Sequence, residues 1–120
     1  MQSNSRNSWP IVAHELQLAM IEVIEDPKFT AWLSRLRDRQ AKARIAGRIQ
    51  RLAHGLAGDV QPVGEGVSEL RIHYGPGYRV YFLQRGATLV ILLIGGEKTS
   101  QDRDIKAAKV LAKNWKQVSP

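Results

Sequence analysis

Apolar positions recur at helical spacing in three stretches of the chain and at strand spacing in four. Met20 opens "MIEVIE", whose alternation predicts a strand. Asp26-Pro27 then marks a helix start, a capping carboxylate followed by a proline whose missing N–H costs nothing in the first turn, and Phe29, Trp32, Leu33 and Leu36 recur behind it. After a break near Asp38, the stripe Ile45, Ile49, Leu52 and Leu56 predicts a second helix, ended by Gly55 or Gly58. "GDVQPVGEG" reads as a loop from its glycine and proline content. Three strand-like runs follow, Val67 to Tyr74, Gly77 to Gln84 and Thr88 to Ile94, with Gly-Pro-Gly and Arg85-Gly86 at the turns of an antiparallel meander. The run "TLVILLI" is apolar on both faces, as a strand covered on both sides would be. A last helix from Gln101 to Trp115 buries Ile105, Ala108, Leu111, Ala112 and Trp115 and leaves Lys106, Lys109, Lys113 and Lys116 wet.

These elements predict an α+β fold. A small antiparallel sheet, an N-terminal strand plus a three-strand meander, packs against an N-terminal helical hairpin and is followed by a C-terminal helix. Residues 20–120 form one domain, and 1–19 read as a leader or extension in which Ile11 to Leu18 could make a short helix.

Composition narrows the chemistry. With no cysteine there is no disulfide framework, thiolate zinc site or thiol nucleophile. His14, His54 and His73 lie far apart and the acids form no cluster, so neither a metal site nor a cofactor is expected. No apolar run reaches the ~18 residues of a membrane span, and the chain reads as soluble, cytoplasmic and free of membrane. A net charge of +7 favours a polyanionic partner.

Where the charge sits sharpens this. Between Lys28 and Arg51 the predicted hairpin carries eight basic residues against the single acid Asp38. Arg37, Arg39, Lys42, Arg44, Arg48 and Arg51 are therefore candidate phosphate contacts for RNA or a ribosome. For any one of them the competing reading is a solvated helix face with stems lying over apolar neighbours.

The stretch "ELRIHYGPGYRVYF" carries the candidate chemistry. Alternation sends Leu70, Ile72 and Tyr74 to one face of the sheet and Glu69, Arg71 and His73 to the other. Tyr78, Val80 and Phe82 follow the first set, and Arg79 and Tyr81 follow the second. Arg71, His73, Arg79 and Tyr81 would then line a phosphate-binding concavity, with Lys98 adding charge from the loop beyond the last strand. Cleaving RNA without a metal requires a base for the 2′-hydroxyl, stabilisation of a dianionic phosphorane, and an acid for the leaving 5′-oxygen. Arginine suits the second task through its bidentate fork and histidine suits either proton transfer. The duller alternatives are a half-buried structural histidine, arginines paired with Glu69, and tyrosines that serve as packing.

The order of elements, with "ELRIHYGPGYRVYF" and "GGEKTSQDRDI" in it, resembles the RelE/ParE superfamily of toxin–antitoxin toxins, and is most similar to the HigB-type addiction-module killer proteins, over about Met20 to Lys116. That resemblance implies a small ribonuclease toxin, held inactive in a hetero-oligomer with a cognate antitoxin of helix-turn-helix type, that cuts messenger RNA on the ribosome when released. By motif, Arg79 falls on the arginine of the superfamily's "GYR" strand. Arg71 and His73 fall near its basic strand residues, and Lys98 matches a basic residue before the last helix. Between Lys98 and Pro120 there is no tyrosine, so the role the resemblance gives to a C-terminal tyrosine passes to His73 or Tyr74. ParE-like members poison DNA gyrase instead, which leaves a gyrase inhibitor without nuclease activity, or a non-catalytic basic binding module, as alternatives.

Overall fold

The computed structural model of the protein describes residues 21–118. The expected leader over 1–19, its short helix and the start of the first strand at Met20 lie outside the described residues.

Strand β1 (Glu22–Glu25) runs into helix α1 (Pro27–Arg35) through Asp26, whose carboxylate accepts the Lys28 N–H at 2.7 Å with Pro27 in the first turn. Asp38 repeats the device for helix α2 (Arg39–Ala53), accepting from the Gln40 and Ala41 N–H groups. Helix α2 ends before Gly55, which takes the left-handed conformation at φ 81° while the Leu56 N–H closes on the Arg51 carbonyl. Four strands follow in a meander: β2 (Val60–Gly64), β3 (Val67–Ile72), β4 (Tyr78–Arg85) and β5 (Leu89–Glu97). A single turn of 3₁₀ helix (Lys98–Ser100) leads into α3 (Gln101–Val118).

The α+β class, the helical pair and the C-terminal helix are as the sequence predicts, and the sheet departs from expectation in two ways. First, "GDVQPVGEG" is not a loop throughout: Val60–Gly64 is an edge strand, joined to β3 by the two-residue turn Glu65-Gly66, both at positive φ. An edge strand tolerates Pro62 because one side of its backbone needs no ladder partner. Second, the sheet is mixed. In the order β1-β5-β4-β3-β2, β1 lies parallel to β5 while the other pairs are antiparallel.

Helices cover both faces. Phe29, Ala41, Ile45 and Leu52 from α1 and α2 pack on Leu70, Ile72, Tyr78, Val80, Phe82, Val90 and Leu92. On the other face, Ala108 and Ala112 of α3 pack on Val67, Tyr81, Leu83, Ile91 and Leu93. Strand β5 contributes to both clusters, which accounts for its continuous apolar run. A bulge at Leu93, which the β4–β5 register skips between Leu92 and Ile94, resets the alternation of β5 beyond it. Past the bulge, Gly95 faces Trp32 and Gly96 faces Asp104. A Cβ on either glycine would lie 2.2 Å from the Trp32 ring or 1.9 Å from an Asp104 carboxylate oxygen.

Candidate functional site

The register opposes Arg71 on β3 directly to Arg79 on β4, and Glu69 to Tyr81, all on the face that α3 covers. Two like charges facing across strands repel each other, and Glu69 offsets this. Its carboxylate, 0% exposed, accepts from Arg71 Nε at 2.9 Å, Tyr81 Oη at 2.9 Å and Gln101 Nε2 at 2.7 Å, with Arg79 Nη1 farther away at 3.5 Å. Burial pushes the Glu69 carboxyl upward, but the bonds from Gln101, Arg71 and Tyr81 and the Arg79 charge outweigh it and hold the group below the ordinary carboxylate range. Burial and the same carboxylate push the Tyr81 phenol far upward, so it stays a donor. Tyr81 shares the polar face as expected, yet it is fully buried and lines no part of the cleft described next.

Arg79 is only 9% exposed, and its Nε is buried without a hydrogen-bond partner. It lines a cleft of about 580 Å³ together with Arg71, His73, Tyr74, Lys98 and Gln101. All five candidate catalytic residues thus border one cavity, which closes around the Gly75-Pro76-Gly77 turn. Lys98 is held there because its N–H donates to the Gly77 carbonyl at 2.9 Å. Its side chain is exposed and forms no ion pair among the described residues.

One residue sits differently from expectation. β3 ends at Ile72, so His73 lies just beyond the strand, its side chain 73% exposed with Nε2 2.6 Å from Asp59 Oδ2. Tyr74 packs against the apolar cluster under α1 and α2, the face that alternation assigns it, and donates to Asp38 Oδ2 at 3.2 Å with the Arg44 guanidinium 4.6 Å from its ring centroid. Desolvation and the Asp38 bond push the Tyr74 phenol upward, which keeps it protonated.

The basic helix divides. Arg48 donates to the Arg71 carbonyl at 2.5 Å and to the Ala57 carbonyl at 3.0 Å, so it ties α2 to β3 and to the segment before β2. Its guanidinium is committed to protein carbonyls, as the expectation of a free phosphate contact did not foresee. Arg37, Arg39, Arg44 and Arg51 are exposed and Lys42 is half-buried. A second cavity of about 400 Å³, lined by Arg44, Gly47, Arg51 and His73 among others, shares Ile72 and His73 with the first, so a basic path runs from α2 into the cleft. Glu69 and Asp59 are the acids that organise these cations. The i, i+2 spacing of Glu69 and Arg71 on one strand face was the available signal for the first, whereas Asp59 lies in a connection that carries none.

The family model for phage-derived Gp49-like proteins (DUF891) matches residues 31–116, a span that contains the whole cleft. The chain belongs to this family. Gp49-like proteins form part of the clan of RelE- and HigB-like toxins of type II toxin–antitoxin systems. A Haemophilus influenzae protein described as uncharacterized is 54% identical over 84 residues, covering 70% of this chain and 85% of its own length. The five-strand sheet with its C-terminal helix is compatible with a RelE-like fold for this Gp49-like chain. Among the described residues, no helix is long and apolar enough to cross a membrane.

Proposed function

We propose that this Gp49-like protein is the toxin of a type II toxin–antitoxin pair, HigB-like in action, and that it cuts ribosome-bound messenger RNA in the cytoplasm without a metal. Arg79 carries the reading. A guanidinium nine-tenths buried, with an orphaned Nε and only a 3.5 Å contact to Glu69, is costly unless an anion completes it. Arg71 and Lys98 stand on the same cleft to share the charge of a phosphorane.

The reaction assigned to the cleft is transesterification. His73 takes the 2′-hydroxyl proton, the 2′-oxygen attacks the adjacent phosphorus, and the bond from phosphorus to the 5′-oxygen breaks. The leaving oxygen takes a proton from Tyr74, whose phenol is then restored from the His73 imidazolium through solvent. The products are a 2′,3′-cyclic phosphate and a 5′-hydroxyl. The exposed cations of α2 supply phosphate contacts to ribosomal RNA, and a cognate antitoxin silences the toxin in a hetero-oligomer.

Toeprinting of translated mRNA tests this. Wild-type protein produces cuts in the ribosomal A site, and Arg79→Ala lowers their rate by about 10²–10³, the loss expected for one preorganised donor. Because Arg79 is buried beside Glu69, Arg79→Lys serves as the folded control. Intact mRNA together with altered plasmid topology in a gyrase assay would assign the protein to the gyrase-directed branch instead.

A further inference from the structure

Asp59 belongs to no element that the proposed reaction uses, yet it holds the one imidazole on the cleft. It is anchored at both ends. Its backbone carbonyl accepts the Arg71 N–H at 3.0 Å, and the preceding segment is held by Arg48 through the Ala57 carbonyl. Its carboxylate Oδ2 lies 2.6 Å from Nε2 of His73, while Nδ1 makes no hydrogen bond among the described residues. His73 borders both cavities, where the basic path from α2 meets the cleft.

We infer that Asp59 is a positioning residue for the proposed nuclease, fixing the neutral His73 ring with its proton on Nε2 so that Nδ1 carries the lone pair that receives the 2′-hydroxyl proton. A carboxylate accepts and does not donate, so a bond to Nε2 selects the tautomer protonated there. After the transfer, the imidazolium carries a proton on each nitrogen and faces a formal negative charge. The His73 hydrogen bond is the largest of the influences that hold the Asp59 carboxyl below its ordinary range, Arg71 and Arg48 adding to it against some desolvation, so Asp59 remains an acceptor at neutral pH. The inference rests on the nuclease reading. An exposed ion pair of the ordinary kind would contribute little to anything; this pair differs in where it stands and in how firmly its acid is tied to β3.

The test combines a readout that needs no activity with one that does. In ¹⁵N-histidine-labelled full-length protein at about pH 8, above the usual imidazole range, the ring nitrogens of His73 report the Nε2–H tautomer in wild type and a mixture in Asp59→Asn. In single-turnover cleavage of ribosome-bound mRNA, Asp59→Asn lowers the rate about tenfold, part of the 10²–10⁴ that a general base contributes, with ribosome affinity unchanged. Against a His73→Gln background the same change costs nothing further. A wild-type tautomer mixture, an undiminished rate in Asp59→Asn, or a full additional loss in the double variant overturns the inference while leaving the nuclease intact. A fixed tautomer in a protein that cuts no RNA overturns the nuclease reading, and this inference with it.

Discussion

The two faces of the sheet are built differently. Under α1 and α2, the buried residues from Phe29 and Ile45 to Leu70, Val80, Phe82 and Leu92 are apolar throughout, with the Tyr78 hydroxyl as the exception. Under α3, apolar packing of Val67, Leu83, Ile91 and Leu93 against Ala108 and Ala112 gives way at one end to Glu69, Arg71, Arg79 and Gln101. Tyr81 spans the change, its ring in the apolar cluster and its hydroxyl on Glu69. Buried charge is a poor source of stability compared with a well-packed apolar isostere. The face under α1 and α2 is thus an apolar core, while the face under α3 joins an apolar core to a charged cluster whose geometry serves the cleft.

That contrast can be broken from either side. Phe29→Ala empties a fully buried ring position and should cost about 3–5 kcal/mol, read as a large fall in the thermal midpoint; if it did not, the helical face would not be the main core. Glu69→Gln should cost less, about 1–3 kcal/mol, and should change the pH profile. Because Glu69 is held below the ordinary carboxylate range, its contribution is present above that range and is lost as the pH falls through the lower, folded-state range. Chemical denaturation from neutral to acid pH should thus show a shallower decline in Glu69→Gln than in wild type. Parallel profiles would mean that the carboxylate is not the hub. Arg48→Ala should cost about 1–2 kcal/mol for its two hydrogen bonds while leaving the salt dependence of ribosome association unchanged. The triple variant Arg37→Gln, Arg39→Gln, Arg51→Gln should do the reverse, shifting stability by a few tenths of a kcal/mol and flattening the salt slope by about three units. Unaltered association at low salt would make these residues a solvated face.

The helices and three of the meander strands were legible because period and punctuation agree, as at Asp26-Pro27 and along Ile45, Ile49 and Leu52. Strand β2 was not, because Pro62 and the flanking glycines carry the local signal of a loop, and only pairing with β3 overrides it. The shared face of Arg71 and Arg79 was readable from alternation, whereas the burial of Glu69 was not, since a glutamate on the polar face of a strand reads as solvated until a covering helix brings Gln101 to it. His73 was misplaced because β3 stops at Ile72, two residues short of the end that alternation predicts at Tyr74. Arg48 did have a signal. Ala41, Ile45, Arg48 and Leu52 fall on one stripe of α2, so this arginine lies where it can reach the carbonyls of Arg71 and Ala57.

The bulge at Leu93 makes the chain unequally tolerant of losing and of gaining a residue. Deleting Leu93 would leave Ile94 opposite Tyr81 and Gly95 opposite Val80 on the faces they already occupy, because the bulge residue is surplus to the ladder. One residue inserted after Ile94 would do the reverse: Gly95 would exchange places with Gly96, the position opposite Arg79 would face the wrong layer, and the side chains of Trp32 and Asp104 would each meet a strand built for the other. A single added codon there would disturb the cleft from a position that lines no part of it.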